Sequence, residues 1–299
     1  MSAASGRQPL PAIPILSGVA ALAERYDGFI LDVWGVLHDG VTAYPGALDT
    51  VQRLAALGKR VVALSNAPRP AEQVERRLGE LGFARGFHQG VMTSGEDVWR
   101  HLQRRDDPWY ASLGPRCFFL GPMKDEAMLA GIGGVRAPDV DSADYVINTG
   151  VSFGESVETV LPELEQAARR KLPMICANPD LVVVYDGKTE ICAGALAKRY
   201  EALGGTVRYH GKPFPGIYDE CLAMLGLTDR SRIVAIGDGL HTDIAGARAA
   251  RLAAVLVTGG INAATLGTFH GEAPDPALLA RICAEAGVVP DAAVPALRW

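Results

Sequence analysis

Four polar clusters along the chain contain the residue types that phosphoryl chemistry requires. They are Asp32 in DVWGVLHDG, the pair Ser65–Asn66, Lys212 in GKPFPG, and Asp238 with Asp243 in GDGLHTD. A carboxylate can attack phosphorus and hold the phosphoryl group until water releases it. Because a carboxylate repels a phosphate, it needs a cation beside it, and Mg²⁺ prefers oxygen ligands such as those of Asp32 and Asp238. Lys212 could then neutralise charge on the phosphoryl oxygens, and Ser65 Oγ could donate a hydrogen bond to them.

Short apolar runs that are typical of buried strands come before these clusters. Residues 29–33 (FILDV), 60–64 (RVVAL) and 232–236 (RIVAI) are such runs. Helical spacing at 47–57 and 71–81 alternates with the first two runs, so the pattern predicts a parallel sheet with right-handed crossovers. Ligands bind at the carboxyl ends of strands in such sheets. We therefore expect the four clusters to meet at one edge of a sheet.

The same alternation continues through the middle and the end of the chain. Strands are predicted at 117–120, 145–148, 174–177, 181–185 and 253–257, and helices at 155–171, 193–203 and 243–250. A short helix at 18–25, capped by Ser17, is expected near the start. The simplest architecture is a Rossmann-like α/β core with a parallel sheet, interrupted by a smaller α/β cap. We expect the core at residues 1–95 and 208–299, and the cap, a lid that sets substrate specificity, at 96–207.

Composition and charge exclude several classes of partner. The net charge is −5, and no basic run interleaves with aromatic residues, which argues against a nucleic-acid partner. No apolar run approaches the roughly 20 residues that a membrane span requires, so we expect no membrane insertion. The five cysteines form no Cys-x-x-Cys pair. They are expected to be buried free thiols in a cytoplasmic protein.

The ordered motifs resemble those of the haloacid dehalogenase superfamily. The motifs are Asp-x-x-Gly-Val-Leu, strand-Ser-Asn, Gly-Lys-Pro and Gly-Asp-x-x-x-Thr-Asp-Ile, and the resemblance covers residues 26–260. The insertion between Ser65 and Lys212 is similar to class IIA, the NagD-like and pyridoxal-phosphate-phosphatase-like branch. The resemblance implies a Mg²⁺-dependent phosphatase of a small phosphorylated metabolite, such as a sugar phosphate. It also implies an aspartyl phosphate on Asp32 and suggests a homodimer formed through the cap.

The resemblance also implies a role for each matching residue. Asp32 would be the nucleophile and a metal ligand, and Ser65 and Asn66 would bind the phosphoryl group. Lys212 would neutralise its charge. The remaining metal ligands would be Asp238, Asp243 and the backbone carbonyl of Trp34. In the cap, the segment Ala-Asn-Pro-Asp at 177–180 is similar to a substrate-facing loop, so that Asn178 and Asp180 would contact the substrate.

The chain departs from the family pattern at two places. Trp34 occupies the position at which most phosphatases of the family carry a second Asp as general acid and base. The motif after the second strand is Ser-Asn-Ala-Pro-Arg at 65–69, where the family usually has Ser-Asn-Asn-Ser-Arg. The first departure predicts slow turnover, with His38 and Asp39 as the nearest replacement acids. It also leaves open a non-catalytic protein that binds a phosphorylated ligand.

Two other enzymatic interpretations compete with the phosphatase. Dehalogenases of the superfamily also carry an aromatic residue at the position of Trp34, but they need no metal, and the Asp238–Asp243 pair argues against them. The segment Gly-Val-Ser-Phe-Gly at 150–154 matches the nucleophile elbow of serine esterases. Ser152 would then be the nucleophile, with Asp180 and His210 as its partners. No His-Gly-Gly segment precedes Ser152, and this interpretation leaves the other clusters unexplained.

Overall fold

The computed structural model describes residues 12–84, 86–185 and 188–299. In chain order the strands are β1 Gly28–Asp32, β2 Arg60–Ser65, β3 Gly90–Thr93, β4 Arg116–Leu120, β5 Val135–Arg136, β6 Tyr145–Asn148, β7 Pro173–Cys176, β8 Val182–Tyr185, β9 Lys188–Ile191, β10 Thr206–Tyr209, β11 Ile233–Gly237, β12 Ala253–Val257 and β13 Ala292–Val294.

The helices alternate with these strands. They are α1 Ala20–Arg25, α2 Ala47–Ala56, α3 Ala71–Glu80, α4 Ser94–Arg104, α5 Pro108–Ala111, α6 Leu161–Arg169, α7 Ala193–Ala202, α8 Pro215–Leu225, α9 Ala245–Ala249, α10 Ala263–Leu266 and α11 Pro276–Glu285. Short 3₁₀ segments lie at Met123–Leu129, Val157–Val160 and Arg230–Arg232, and a π-helical segment at Leu240–Ile244 leads into α9.

The larger sheet has six parallel strands in the order β13-β12-β11-β1-β2-β3. The central strand β1 is buried along its whole length, and its residues alternate between two apolar clusters. Phe29 and Leu31 pack into one cluster, and Ile30 packs into the other. A strand whose two faces are both covered is mainly apolar, which explains the run Phe29, Ile30 and Leu31 before Asp32 at the end of β1. The predicted parallel α/β core is confirmed.

A second sheet has five parallel strands in the order β10-β7-β6-β4-β5, and β8 pairs with β9 in an antiparallel hairpin. The chain leaves the first sheet after β3 and returns after β10. Helix α4 begins two residues before the expected start of the cap at 96, and β10 ends two residues after its expected end at 207. The second α/β unit is therefore present, while its division from the core at 95/96 and 207/208 stays a prediction.

The structure differs from the sequence-based expectation at the first helix. Helix α1 begins after Val19, which has no side-chain cap, so the prediction of Ser17 as the cap is wrong. The carboxyl-terminal end of the chain explains the difference. Val19 N–H donates to the Arg298 carbonyl at 2.8 Å, and a Cβ at Gly18 would lie 2.6 Å from the same oxygen. A long-range backbone contact therefore sets the start of this helix.

Other differences lie at element ends and in unassigned segments. The single helix expected at 155–171 is divided into a 3₁₀ turn and α6, because Pro162 occupies the first turn of the α-helix. The elements that were not anticipated are the strands β3, β5, β9, β10 and β13 and the helices α4, α5, α8, α10 and α11. All five cysteines are free and buried, as expected. Among the described residues, no helix has the length and apolar character needed to cross a membrane.

Candidate active site

Three neighbouring strands of the six-stranded sheet carry polar residues at their carboxyl ends. Asp32 is the last residue of β1, Ser65 is the last residue of β2, and Asp238 directly follows β11. Strand β1 lies between the other two, so the three side chains converge on one edge. Each is at most 7% exposed. The sequence predicted that the polar clusters meet at such an edge.

Lys212 reaches this edge from the segment that follows β10. Its Nζ lies 2.6 Å from Asp32 Oδ1 and 2.8 Å from Asp243 Oδ1, and the residue is 3% exposed. Burial by itself would lower the pKa of Lys212, but Asp243 and Asp32 raise this pKa well above its usual value. The lysine is therefore a fixed positive charge that holds two carboxylates together.

Asp32, Asp238 and Asp243 form a buried cluster in which one carboxylate oxygen from each lies within 4.8 Å of the others. Burial, together with Asp243, raises the pKa of Asp32. The same two causes raise the pKa of Asp238 to about 7. Three carboxylates facing one ammonium leave an excess of negative charge, and every donor atom is a hard oxygen. This donor set fits a divalent cation such as Mg²⁺.

Glycines allow the loops to approach this cluster. A Cβ at Gly35, whose φ is +84°, would lie 1.9 Å from Asp238 Oδ2. A Cβ at Gly260 would lie 2.1 Å from the same atom, and one at Gly237 would lie 2.1 Å from Asp243 Cγ. Any side chain at these positions would displace a carboxylate. Of these glycines, Gly35 and Gly237 belong to sequence motifs, whereas nothing in the sequence singled out Gly260.

Ser65 and Asn66 occupy the turn after β2, but their roles differ. Ser65 Oγ accepts a hydrogen bond from Ala67 N at 3.2 Å, and it lies at the site edge. Asn66 Oδ1 accepts from Lys212 N at 2.7 Å, while Asn66 Nδ2 donates to the Lys212 carbonyl at 3.1 Å. Asn66 therefore holds the backbone of Lys212 in place.

The loop after β7 brings Asp180 to the same place. Asn66 Nδ2 donates to Asp180 Oδ1 at 2.8 Å, which links this loop of the second sheet to the turn after β2. Asn178 is buried, and its Oδ1 accepts from Asp180 N at 3.0 Å in an Asx turn. Asp180 thus lies at the site, and Asn178 shapes the loop that presents it.

Trp34 follows Asp32 by two residues in the chain, and it packs on Gly40 and His38. A Cβ at Gly40 would lie 2.4 Å from the indole ring, and the rings of Trp34 and His38 meet edge to face at 5.4 Å. Burial lowers the pKa of His38 to about 4, and its Nδ1 accepts from Gly40 N. Asp39 accepts from Val41 N and Thr42 N, and these backbone bonds outweigh its burial and lower the pKa of Asp39. Neither His38 nor Asp39 is a ready proton donor at neutral pH.

The structure contradicts the esterase triad. Ser152 is exposed, and its backbone N–H donates to Glu155 Oε2. His210 Nδ1 lies 2.6 Å from Asp97 Oδ2, and its Nε2 is hydrogen-bonded to the Tyr110 hydroxyl. Asp180 is bonded to Asn66 instead. Both ring nitrogens of His210 are thus already engaged, so the ring cannot serve Ser152.

Two contacts that frame the site have no signal in the sequence. The Tyr218 hydroxyl of α8 donates to the Asp243 carbonyl at 3.1 Å, which supports the turn that carries Asp243. Arg69 Nε lies 2.6 Å from Asp125 Oδ1, an ion pair that joins the loop after β2 to the segment after β4. Both contacts join residues far apart in the chain, and only the folded arrangement of the sheets brings them together.

Comparison with known proteins identifies the family of this chain. A family model described as haloacid dehalogenase-like hydrolase matches residues 29–134, and a second model of HAD-like hydrolases matches residues 209–293. The crystal structure of a hydrolase of the haloacid dehalogenase-like family from Brucella suis 1330 is 33% identical, with a TM-score of 0.79. The alignment covers 94% of this chain and 98% of that one.

Curated relatives are also similar along most of the chain. D-glycerol 3-phosphate phosphatase of Mycobacterium tuberculosis is 28% identical over 82% of this chain, and the match spans 66% of its own length. Chronophin of Homo sapiens is 29% identical, over 80% of this chain and 83% of its own. A structure of glycerol phosphate phosphatase from Mycobacterium tuberculosis in complex with magnesium is 25% identical, with a TM-score of 0.65, and covers 82% of this chain and 71% of that one. The predicted resemblance is confirmed. The chain belongs to the haloacid dehalogenase-like family of hydrolases.

Proposed function

We propose that this chain is a Mg²⁺-dependent phosphatase that hydrolyses small phosphorylated metabolites through an aspartyl phosphate on Asp32. The observation that carries this proposal is the contact of Lys212 Nζ with Asp32 inside the buried carboxylate cluster, at 2.6 Å. The names of the relatives support it, since they include phosphatases of glycerol phosphate and of 4-nitrophenyl phosphate.

The carboxylates of Asp32, Asp238 and Asp243, with the backbone carbonyl of Trp34, would hold the metal ion. When bound, Mg²⁺ neutralises the negative charge that would otherwise keep a phosphate away from Asp32. A related phosphatase has been crystallised with magnesium, which supports this choice of ion. The excess negative charge of the buried cluster supports it independently.

The residues of the chain have distinct tasks in the proposed reaction. Asp32 Oδ1 accepts hydrogen bonds from Lys212 Nζ at 2.6 Å and Val33 N at 2.8 Å, so the carboxylate is oriented before substrate arrives. A bond forms between an Asp32 oxygen and phosphorus while the bond from phosphorus to the leaving oxygen breaks. Lys212 and Ser65 Oγ stabilise the charge on the phosphoryl oxygens. Water then cleaves the aspartyl phosphate and restores Asp32.

Trp34 limits which leaving groups can be expelled quickly. Indole neither protonates a leaving oxygen nor activates water. Phosphate esters with good leaving groups, such as aryl or acyl phosphates, need little protonation and are therefore the favoured substrates. The same observation favours a second candidate function, a weakly catalytic protein that binds a phosphorylated ligand.

We further propose that residues 96–207 act as a cap over the site. Asp180 follows β7 and contacts Asn66, so the carboxyl edge of the second sheet faces the carboxyl edge of the first at this point. The Arg69–Asp125 ion pair gives a second contact of the same kind. A substrate held between these two edges would be shielded from water, as in enzymes that close a lid over the reaction.

The proposal is tested with 4-nitrophenyl phosphate and a panel of phosphorylated metabolites in the presence of Mg²⁺. Asp32→Asn keeps the shape of the side chain but removes the attacking charge, so turnover should fall by about 10³-fold or more. Asp144→Asn is the matched control, because Asp144 precedes β6 and pairs with Arg116 at the opposite edge of the second sheet. Unchanged turnover in Asp32→Asn would contradict the proposal. If the wild type binds the phosphorylated ligand but releases no phosphate, the second candidate function is favoured.

A further inference from the structure

A buried chain of hydrogen bonds joins the two segments that cross between the sheets. The outgoing segment is α4, which carries Asp97, and the returning segment begins with His210 directly after β10. His210 Nδ1 lies 2.6 Å from Asp97 Oδ2, and His210 Nε2 is hydrogen-bonded to the hydroxyl of Tyr110 in α5. None of the three residues is more than 4% exposed. The proposed reaction gives these groups no task.

The pattern of donors assigns the protons in this chain. In a neutral ring that donates its Nδ1 proton to the Asp97 carboxylate, Nε2 accepts the proton of the Tyr110 hydroxyl. Asp97, His101 and His210 lie close enough together to suggest a metal site. The 2.6 Å separation of Asp97 Oδ2 and His210 Nδ1 is a hydrogen-bond distance. Two ligand atoms around a tetrahedral zinc ion lie about 3.3 Å apart, as its bond lengths require. The hydrogen bonds of Asp97 and Tyr110 therefore hold the ring of His210 in position.

The backbone from His210 to Lys212 is held by close contacts and by hydrogen bonds. Gly211 has a φ of +99°, and a Cβ there would lie 2.5 Å from Asn66 Oδ1 and 2.9 Å from Ser94 Cβ. His210 N–H donates to the Cys176 carbonyl at 3.0 Å, and Lys212 N–H donates to Asn66 Oδ1 at 2.7 Å. The backbone N–H of His210 and the amide of Asn66 thus hold the two ends of a three-residue segment that ends at Lys212. At the first of these ends, Asp97 and Tyr110 also hold the ring of His210.

We infer that His210 is a positioning residue for Lys212, and that Asp97 and Tyr110 hold its imidazole in the orientation this requires. The inference rests on the proposed function, since that function gives Lys212 its task at Asp32. A displacement of about 1 Å in a catalytic group can reduce the rate by about 10²-fold. His210 therefore affects turnover from a place that substrate does not reach.

Tyr110→Phe tests the inference with the smallest change. It removes the hydroxyl that holds His210 Nε2, while Tyr200→Phe is a matched control. Tyr200 is also buried, and its hydroxyl donates to the Leu172 carbonyl at 2.6 Å within the second unit. Both variants should lower the Tm. In Tyr110→Phe, kcat on 4-nitrophenyl phosphate should fall at least about tenfold, with KM changed less than about threefold. In Tyr200→Phe, kcat should stay within about twofold of wild type. A wild-type kcat in Tyr110→Phe overturns the inference.

Asp97 provides the second test, by rescue with a conservative variant. Asp97→Asn keeps an oxygen that can accept from His210 Nδ1, whereas Asp97→Ala removes it. Turnover should therefore be at least about tenfold higher in Asp97→Asn than in Asp97→Ala. If Asp97→Ala does not fold, Tyr110→Phe decides the matter. An inactive wild type defeats the proposed function and the inference together, while an active wild type matched by Tyr110→Phe defeats the inference alone.

Discussion

The side-chain amide of Asn66 donates to the carboxylate of Asp180 at 2.8 Å, and it also binds both backbone groups of Lys212. One amide thus connects three segments, which follow β2, β7 and β10. Burial raises the pKa of Asp180, and the positive charge of Lys212 and the amide of Asn66 oppose this shift by favouring the ionised carboxylate. A movement of the loop after β7 would therefore displace Asn66, and with it the backbone of Lys212.

Removing the Asp180 carboxylate should affect large substrates more than small ones. In Asp180→Ala the loop after β7 loses its contact with Asn66, so KM for the best metabolite of the panel should rise about tenfold. The rise for 4-nitrophenyl phosphate should be smaller, because this substrate reaches less of the cap. Asn178→Ala removes the Asx turn that presents Asp180, and it should have the same selective effect. Equal increases of KM for both substrates would argue against a specificity loop. Steady-state kinetics on each substrate provide the measurement.

Removal of Mg²⁺ should abolish turnover and lower thermal stability. A chelator should eliminate hydrolysis of 4-nitrophenyl phosphate, and added Mg²⁺ should restore it. Mg²⁺ at about 100 times its Kd should stabilise the folded protein by about 2.7 kcal/mol, because only the folded cluster binds it. Asp238→Asn should lose most of this thermal shift, whereas Asp144→Asn should keep it. Full turnover in excess chelator would sink the assignment of the metal site.

The carboxylate cluster should also give the metal-free protein a characteristic pH dependence. Burial and Asp243 raise the pKa of Asp238 to about 7 from its usual value of 3.8. A carboxyl group whose pKa is raised by folding stabilises the protein while it is protonated, and this stabilisation is lost as pH rises from about 4 to about 7. In a chelator, the Tm of wild type should therefore fall relative to that of Asp238→Asn across this range. A constant difference between the two Tm values would count against the cluster as described.

Gly35→Ala should damage the site without unfolding the protein. Its new Cβ would lie 1.9 Å from Asp238 Oδ2, so the carboxylate must move. Gly58→Ala is the matched control, because Gly58 also has a positive φ, +70°, but faces open space. Both variants should lose about 1–2 kcal/mol of stability from the left-handed backbone conformation. Turnover should fall at least about 10²-fold in Gly35→Ala alone. The idea fails if the two variants have the same activity.

Trp34→Asp should increase the hydrolysis of alkyl phosphates more than that of aryl phosphates. The new carboxyl group can act as general acid and base, and each such role contributes about 10²–10⁴-fold. The variant should also be less stable, because the indole packs on Gly40 and His38. The ratio of alkyl to aryl turnover in wild type and variant measures the effect. If wild type already hydrolyses alkyl phosphates at about 10 s⁻¹ or faster, typical of enzymes, and the variant brings no gain, another residue supplies the acid.

The sequence predicted the fold best where a strand is buried on both faces. The runs at 29–33, 60–64 and 232–236 are apolar except for one charged residue each, and the structure places β1, β2 and β11 there within one residue. Strand β13 is only three residues long, and its pairing with β12 depends on contacts that periodicity does not show. The cap of helix α1 was predicted wrongly for a similar reason, because a contact with the Arg298 carbonyl sets the start of this helix.

The candidate site was predicted in its residue types more fully than in its contacts. The order of the motifs predicted that Asp32, Asp238 and Lys212 meet at one edge of the sheet, and the strand order of the structure agrees. The sequence assigned Asn66 to phosphate binding, yet its amide holds Lys212 and Asp180. It also suggested His210 as a triad member, because chain order alone cannot show that Asp97 and Tyr110 enclose the ring. Each of these contacts spans more than 80 residues of chain, beyond the reach of any local pattern.

Lys212 is attached to the return from the second sheet, whereas Asp32 and Asp238 are attached to strands of the first. The positive charge is therefore positioned by the last strand of the second sheet, and these two negative charges by strands of the first. A recombination could replace the insertion, up to the end of its last strand, with that of another protein. The carboxylates would be kept, but a different segment would then precede Lys212. Only insertions whose last strand ends in the same register would deliver the ammonium to Asp32. An exchanged insertion would therefore keep the site intact only if the geometry of its exit were preserved, whatever the rest of its sequence.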